Sequence, residues 1–142
     1  MERNSGLRHW LRLPFLVRTC CRTPLGRTAL RRRVIQNHVR AKAGDKVVDI
    51  GCGPARILRW LPDVRYLGLD IDPDYIASAR RTHGNKGTFI VGDTKSLRDD
   101  PRFKDADIVM ALGLLHHLDD EEAAHCIRFA YDALKEKGRF VS

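Results

Sequence analysis

The sequence contains no long hydrophobic run. The longest is Ile108–Leu115, eight residues in a chain of 142, whereas a membrane-spanning helix needs about 20. We therefore predict no transmembrane helix. Hydrophobic residues still make up 43% of the chain, which is enough to bury a core and excludes wholesale disorder. A chain of this length predicts one globular domain.

Cysteine is scarce and follows no metal-binding or disulfide pattern. The four cysteines are Cys20, Cys21, Cys52 and Cys126. Adjacent cysteines do not readily pair with each other, no CxxC motif is present, and no secretory hydrophobic region precedes a cleavage site. The sequence therefore predicts neither a disulfide framework nor a zinc site, and it favours a reducing, cytoplasmic location.

Acidic residues are almost absent from the first 46 positions. That stretch has 12 Arg and Lys but only Glu2 and Asp45, whereas the remainder has 14 basic and 16 acidic residues. Such asymmetry is typical of a nucleic-acid or anionic-membrane contact, of a transit peptide, or of a solvated helix face. Few aromatic side chains interleave with the arginines for base stacking, which favours the solvated face.

Four hydrophobic residues of the same stretch recur at helical spacing: Leu30, Val34, Ile35 and Val39. A stripe of this kind packs against another element. We therefore expect residues 1–42 to form a basic helical extension that packs on a domain comprising residues 43–142.

The domain alternates between short apolar strands and helices. The predicted strands are 46–50, 66–69, 88–91, 106–111 and 139–142. The predicted helices are 27–39, 54–61, 73–82 and 119–137, the last with Ala123, Ile127, Ala130 and Leu134 on its buried face. This alternation predicts an α/β fold: a Rossmann-like, doubly wound parallel sheet of about five strands. Ligands bind such sheets at the carboxyl ends of the strands.

A glycine-rich loop follows the first strand. Gly51 and Gly53 flank Cys52 and allow a tight turn with close approach of a ligand to the backbone. A dinucleotide-binding loop needs glycine or alanine five residues after its first glycine, but Arg56 occupies that position. Asp49 also precedes the loop. Both features disfavour a bound pyrophosphate, and the acid favours a ligand that carries an ammonium group.

Carboxylates follow the next two strands. Asp70 lies nineteen residues beyond Gly51, the distance at which an acid accepts hydrogen bonds from ribose hydroxyls. Asp72 is predicted to cap the following helix. Asp93 follows the third strand, where its carboxylate can accept a hydrogen bond from an adenine amino group.

Five segments together resemble the class I S-adenosylmethionine-dependent methyltransferases, in particular the small bacterial enzymes. They are VVDIGCGPA (47–55), YLGLDI (66–71), VGD (91–93), ADIVMALGLLHHLDD (106–120) and LKEKGRFV (134–141). They occur in the family's order and spacing. The resemblance implies the methyltransferase type of Rossmann-like fold, with strand order three, two, one, four, five, and S-adenosylmethionine as methyl donor. Ala55 departs mildly from the glycine of many members.

The resemblance also implies a set of cofactor-binding residues: Asp49, Gly51, Cys52, Gly53, Asp70, Ile71, Asp93, Thr94, Ala111 and Leu112. In the family, the glycine loop and the acid before it line the methionine moiety, and the acid after the second strand holds the ribose. The residues at 71 and 93 would contact the adenine. The backbone at 111–112 would close the pocket near the methyl-bearing sulfur.

His116 and His117 are the candidate catalytic residues. Methyl transfer depends mainly on positioning, and a base is required only if the acceptor must lose a proton. The alternative is that one imidazole packs or caps while the other faces the acceptor cleft. A metal site with His125 is not expected, because adjacent side chains diverge and no further ligands complete the set.

The sequence therefore predicts a methyltransferase with a small-molecule acceptor, with RNA as the second choice because of the basic extension. The alternatives are a non-catalytic nucleoside-binding module and an NAD-dependent oxidoreductase. The family's sheet has seven strands, whereas this sequence stops in the fifth. We therefore expect a domain that is incomplete at its C-terminus, binds cofactor and turns over poorly. The sequence does not predict the oligomeric state.

Overall fold

A five-stranded parallel sheet forms the centre of the domain. The structure is a computed structural model, and it describes residues 28–29, 32–33 and 35–142. Its strands are β1 (Lys46–Ile50), β2 (Arg65–Asp70), β3 (Gly87–Val91), β4 (Ala106–Met110) and β5 (Leu134–Val141). The spatial order is β3-β2-β1-β4-β5, and all four neighbouring pairs are parallel. The predicted Rossmann-like sheet and its strand order are confirmed.

The central strand β1 places the loops after β1, β2 and β4 at one edge of the sheet. Asp49 of β1 lies opposite Gly68 of β2 and Met110 of β4, so these strands end at the same edge of the sheet. Residues of β1 alternate between the two faces, and both faces are buried, which is why the strand is apolar on both sides.

Helices cover the two faces of the sheet. One face packs against α1 (Pro73–His83), and the other packs against α2 (Asp120–Ala133). On the α1 face the core includes Val47, Tyr66, Ile76, Ala79, Phe89 and Ile108. On the α2 face it includes Val48, Leu67, Val109, Phe103, Phe129 and Ala133. The predicted cap at Asp72 and stop at Gly84 bound α1.

The predicted helix 54–61 is wrong. Only a five-residue 3-10 helix forms there, Arg56–Trp60, and Pro54 lies in the turn before it. Ala55 precedes this helix with φ 51° and ψ 37°, a left-handed conformation that costs an L-residue about 1–2 kcal/mol. This backbone reversal prevents a regular α-helix from starting at Pro54.

The predicted end and buried face of the last helix also need correction. Helix α2 stops at Ala133, and β5 begins at the next residue, because the chain turns extended at Leu134 to pair with β4. The lysines that resemble a helix C-terminus are exposed positions of this strand, and Lys135 pairs with Asp107. The buried face consists of Cys126, Phe129, Ala130 and Ala133, whereas Ile127 is 50% exposed.

Part of the basic extension is described by the structure. Ile35 and Val39, in a π-helical turn, are buried against the α1 face, with exposed fractions of 4% and 0%. The guanidinium of Arg139 in β5 donates to the carbonyls of Val39, at 2.5 Å, and Arg40, at 2.8 Å. Leu30, Val34, Cys20 and Cys21 lie outside the described residues, so the packing of the whole extension stays a prediction.

A capping box begins α2 and gives a stability prediction. The Asp119 carboxylate accepts from the Glu122 amide at 2.8 Å, and the Glu122 carboxylate accepts from the Asp119 amide at 3.1 Å. We expect Asp119→Ala to lower the free energy of unfolding by about 1 kcal/mol, because it leaves a helix amide without its acceptor. Urea denaturation measures the change. The exposed neighbour Asp120→Ala is the matched control and should cost less than half as much, and equal losses would contradict the capping role.

Candidate functional site

A cleft of about 260 Å³ opens at the carboxyl ends of β1, β2 and β3, against the start of α2. Among the residues predicted for the cofactor, five line it: Gly51, Asp70, Ile71, Asp93 and Thr94. Each follows the end of a strand, as expected for a parallel sheet.

The glycine loop turns sharply over the end of β2. Gly51 and Gly53 have φ values of 70° and 53°, which L-residues rarely adopt. A Cβ on Gly51 would lie 3.1 Å from the Leu114 side chain, whereas a Cβ on Gly53 would meet nothing within 4 Å. The backbone at Gly53 is therefore open to a ligand.

Asp70 connects the loops that follow β1 and β2. Its Oδ2 accepts from the Gly53 amide at 2.8 Å, and its Oδ1 accepts from the Asp72 amide at 2.9 Å. The half-buried carboxylate is thereby held in one orientation at the wall of the cleft. Each oxygen keeps a second acceptor site, so Asp70 can still bind two hydroxyl groups.

The loop after β3 forms another wall. The Asp93 Oδ1 accepts from the amides of Ser96, at 2.7 Å, and Lys95, at 2.9 Å, and the Ser96 bond contributes most to a lowered pKa of this carboxyl. Asp93 is therefore an ionised acceptor. Ile71 is 75% exposed beside it, an unusual position for a large apolar side chain unless a ligand covers it.

Asp49 is buried beneath the loop and does not line the cleft. Its side chain is on the α1 face of β1, only 5% of the residue is exposed, and the Tyr66 hydroxyl donates to its Oδ2 at 2.6 Å. Burial raises the pKa of Asp49 to about 7, the charge of Asp70 adds to the increase, and the Tyr66 hydrogen bond opposes it. The protonated and ionised forms of Asp49 are therefore both populated near neutral pH.

Cys52 packs in the same cluster. Its Sγ lies 2.8 Å from the position that a Cβ of residue 68 would occupy, so Gly68 makes room for it. Burial raises the pKa of the Cys52 thiol, and the charges of Asp49 and Asp70 raise it further. The thiol stays protonated, which makes it an unreactive filler and not a nucleophile.

Besides Asp49, Cys52 and Gly53, four further predicted residues do not line the cleft. Ala111 is buried, with its amide bonded to the Val141 carbonyl at 2.9 Å, and Leu112 packs on the α1 face. His116 and His117 are exposed in the 3-10 turn Leu115–His117, with ring centroids 3.9 Å apart. Their side chains lie next to each other rather than diverging as expected.

The sequence did not predict the wall of the cleft that faces the strands. It consists of Leu114, Leu118, Glu122, His125 and Cys126. Three of these, Glu122, His125 and Cys126, are spaced three and four residues apart and lie on one side of α2. That spacing is a readable signal, but using it requires knowing which side of α2 faces the sheet edge.

The Glu121 carboxylate contacts two side chains at the rim of the cleft. The Glu121 carboxylate of α2 lies 3.3 Å from the Lys95 ammonium and 3.6 Å from the His125 Nε2. It links the loop after β3 to α2. Within the described part of the chain, no cluster of three potential metal ligands occurs, and no helix has the length and hydrophobicity to cross a membrane.

Comparison with solved structures places this fold among methyltransferases. A TehB-like S-adenosylmethionine-dependent methyltransferase from Corynebacterium glutamicum is 25% identical, with a TM-score of 0.63, over 78% of this chain and 60% of that protein. An S-adenosylmethionine-dependent methyltransferase from Geobacter sulfurreducens, solved with S-adenosylhomocysteine, is 20% identical, with a TM-score of 0.60, over 84% and 47%. This chain therefore spans about half to 60% of the length of these relatives.

A third similar structure is phosphoethanolamine N-methyltransferase 1 from Haemonchus contortus, solved with phosphoethanolamine and S-adenosylhomocysteine. It is 24% identical, with a TM-score of 0.65, over 80% of this chain and 25% of that protein. A family model described as "Methyltransferase domain" matches residues 47–138, from β1 into β5. The chain therefore belongs to the family of methyltransferase domains.

Proposed function

We propose that this chain binds S-adenosylmethionine in the cleft and serves in the transfer of its methyl group to an acceptor. The observation that carries the proposal is the Asp70 carboxylate, held by two backbone amides at the wall of a cleft with an exposed Ile71 beside it. The two carboxylate oxygens can accept hydrogen bonds from the ribose hydroxyls of a nucleoside, and the apolar surface beside them can pack against its adenine.

The remaining contacts follow from the positions of the side chains. Ile71, Leu114 and Leu118 offer apolar surface for the adenine ring. The ionised Asp93 and the neighbouring Thr94 lie where they can accept from its amino group. The amino-acid portion lies along Gly51–Gly53, where positive φ values and the open face of Gly53 expose the backbone. The ionised form of Asp49 favours an ammonium group there from beneath the loop.

When bound, S-adenosylmethionine supplies an electrophilic methyl group on a sulfonium, and attack by an acceptor leaves S-adenosylhomocysteine. The protein contributes by orienting the donor, because positioning supplies most of the rate in a displacement of this kind. Asp70 and the glycine loop fix the donor at two separate points. The backbone at Ala111–Leu112 stays a proposed boundary toward the sulfur.

We propose a small molecule as the acceptor, as in the similar structure from Haemonchus contortus, which was solved with phosphoethanolamine. RNA is the second candidate, supported by the 12 basic residues among the first 46. If the acceptor must lose a proton, His116 and His117 are the candidate bases, since both imidazoles are exposed after β4. Variants of either histidine that keep donor affinity but lose transfer would support that role.

The same geometry disfavours an oxidoreductase. A bound pyrophosphate needs the amides of a helix N-terminus, but the glycine loop leads into the five-residue 3-10 helix Arg56–Trp60. We also propose a cytoplasmic location, because Cys52 and Cys126, the cysteines that the structure describes, are free thiols. Cell fractionation tests the location.

Calorimetry with S-adenosylhomocysteine and NAD tests the proposed function. We expect S-adenosylhomocysteine to bind in the micromolar range, about −8 kcal/mol, and NAD to bind at least 100-fold more weakly. Tighter binding of NAD, or no binding of S-adenosylhomocysteine, would overturn the assignment. Transfer of labelled methyl groups into a metabolite extract then separates an enzyme from a nucleoside-binding module.

A further inference from the structure

The basic residues near the start of the chain that the structure describes do not line the proposed donor cleft. Residues 28–44 contain five Arg and Lys and no acidic residue. In the structure, part of this stretch forms one wall of a second groove of about 620 Å³, which we name the arginine groove. It is lined by Arg32, Gln36 and Arg40 on one side and by Arg59 and Trp60 on the other, together with Ile35.

The guanidinium groups of the arginine groove keep donors for a ligand. The Arg40 Nε donates to the Asn37 carbonyl at 2.9 Å, which leaves the two terminal nitrogens of this side chain. Gln36 lies in the π-helical turn Ile35–Val39, Arg32 precedes this turn and Arg40 follows it directly, and all three side chains are exposed. Arg59 is exposed on the facing turn. Of the carboxylates that the structure describes, none lines the groove or forms a salt bridge with these arginines.

The arginine groove is separate from the donor cleft. The two share no lining residue. Ile35 and Trp60 pack with the core on the α1 face of the sheet, whereas Ile50, Leu69 and Cys126 of the cleft belong to the core on the α2 face. A group bound in the arginine groove therefore does not itself contact the donor.

An aromatic ring completes the site. The sequence has few aromatic residues among its arginines, but the fold brings Trp60 from the turn after β1 against the helical segment. The Arg59 guanidinium lies 5.5 Å from the centroid of the Trp60 ring. Arginines for phosphate groups beside a π surface for bases are the chemistry of single-stranded nucleic acid binding.

We propose that the arginine groove binds single-stranded nucleic acid, with phosphates on Arg32, Arg40 and Arg59 and a base against the Arg59–Trp60 pair. The chain's own residues 1–27 do not fit, because they carry six arginines and one glutamate and would be repelled. A membrane surface fits less well, because none of the large exposed apolar side chains in the described ranges lines the groove.

Fluorescence anisotropy with a labelled 12-nucleotide RNA, and with DNA of the same sequence, tests the proposal on the full chain. The variant replaces Arg32, Arg40 and Arg59 with Gln. The matched control removes the same charge from exposed positions outside the groove: Arg81→Gln, Lys86→Gln and Arg128→Gln. Calorimetry with S-adenosylhomocysteine, together with circular dichroism, verifies that both variants stay folded.

We expect the groove variant to bind at least tenfold more weakly at ~0.1 M salt, and the control to stay within threefold. For single strands, each phosphate contact contributes about −0.7 to the slope of log K against log salt. Removing three contacts should therefore make the slope of the groove variant shallower by about 2. Equal RNA and DNA affinities fit recognition of phosphates and bases, and tighter RNA binding adds a 2′-hydroxyl contact. Equal losses in both variants, no binding by the wild type, or tighter binding to vesicles with anionic lipids would overturn the proposal.

Discussion

Replacing Asp70 with alanine is expected to weaken S-adenosylhomocysteine binding by ten- to a hundredfold. A hydrogen bond to a charged acceptor contributes about 1.5–3 kcal/mol, and about 1.4 kcal/mol corresponds to a factor of ten in affinity. The Asp70 carboxylate can accept from both ribose hydroxyls, because its existing bonds to the amides of Gly53 and Asp72 leave each oxygen with free acceptor capacity. Calorimetry measures the change.

Loss of affinity must be separated from loss of structure. Asp70→Ala also leaves the amides of Gly53 and Asp72 without their acceptor, so the variant will be less stable. The matched control is Asp72→Ala, because Asp72 caps α1 through the amides of Asp74 and Tyr75 and does not line the cleft. This control should lose stability but keep affinity. A folded Asp70→Ala protein with wild-type affinity would refute the ribose contact.

Much of the fold is readable from the sequence because β-strands that are buried on both faces are apolar throughout. The strands at 46–50 and 106–110 lie at the centre of the sheet and match their predicted positions closely. The helix after the glycine loop was mispredicted, because the left-handed conformation of Ala55 depends on how the loop meets β2. The end of α2 was misplaced since alternating Lys135 and Lys137 suit either a helix end or an edge strand.

Only part of the candidate site can likewise be predicted from the sequence. Asp70, Asp93 and the glycines come directly after strands, so their shared edge follows from topology alone. The wall formed by α2 does not follow, because it depends on the rotation of that helix about its axis. The burial of Asp49 is also unreadable from sequence, because it requires Tyr66 on the neighbouring strand to cover the carboxylate.

The largest expected effect of pH on the free energy of unfolding comes from the buried pair of Asp49 and Tyr66. The pKa of Asp49 is about 7 in the folded protein and 3.8 ordinarily, with burial as the main cause. Between pH 4 and 7 the folded state therefore holds a proton that the unfolded state has released. The stabilisation is fully present below the ordinary pKa and is lost as the pH rises through about 7. For this group alone, the loss is on the order of 1 kcal/mol per pH unit.

Comparison with Asp49→Asn isolates that effect. The amide has nearly the shape of the protonated carboxyl and does not titrate, and its oxygen can still accept from the Tyr66 hydroxyl. We expect the free energy of unfolding of the wild type, relative to this variant, to fall by a few kcal/mol from pH 5 to pH 8. Urea denaturation at each pH provides the values.

Two further variants make this test specific. Asp107→Asn is the control, because Lys135 lowers the pKa of Asp107, so its contribution is lost only as the pH falls below the tested range. Its difference from the wild type should stay constant between pH 5 and 8. Tyr66→Phe removes the hydrogen bond that favours the ionised Asp49, so it should move the pH-dependent window upward. A wild-type protein whose stability difference from Asp49→Asn does not change between pH 5 and 8 would show that the buried carboxyl does not titrate there.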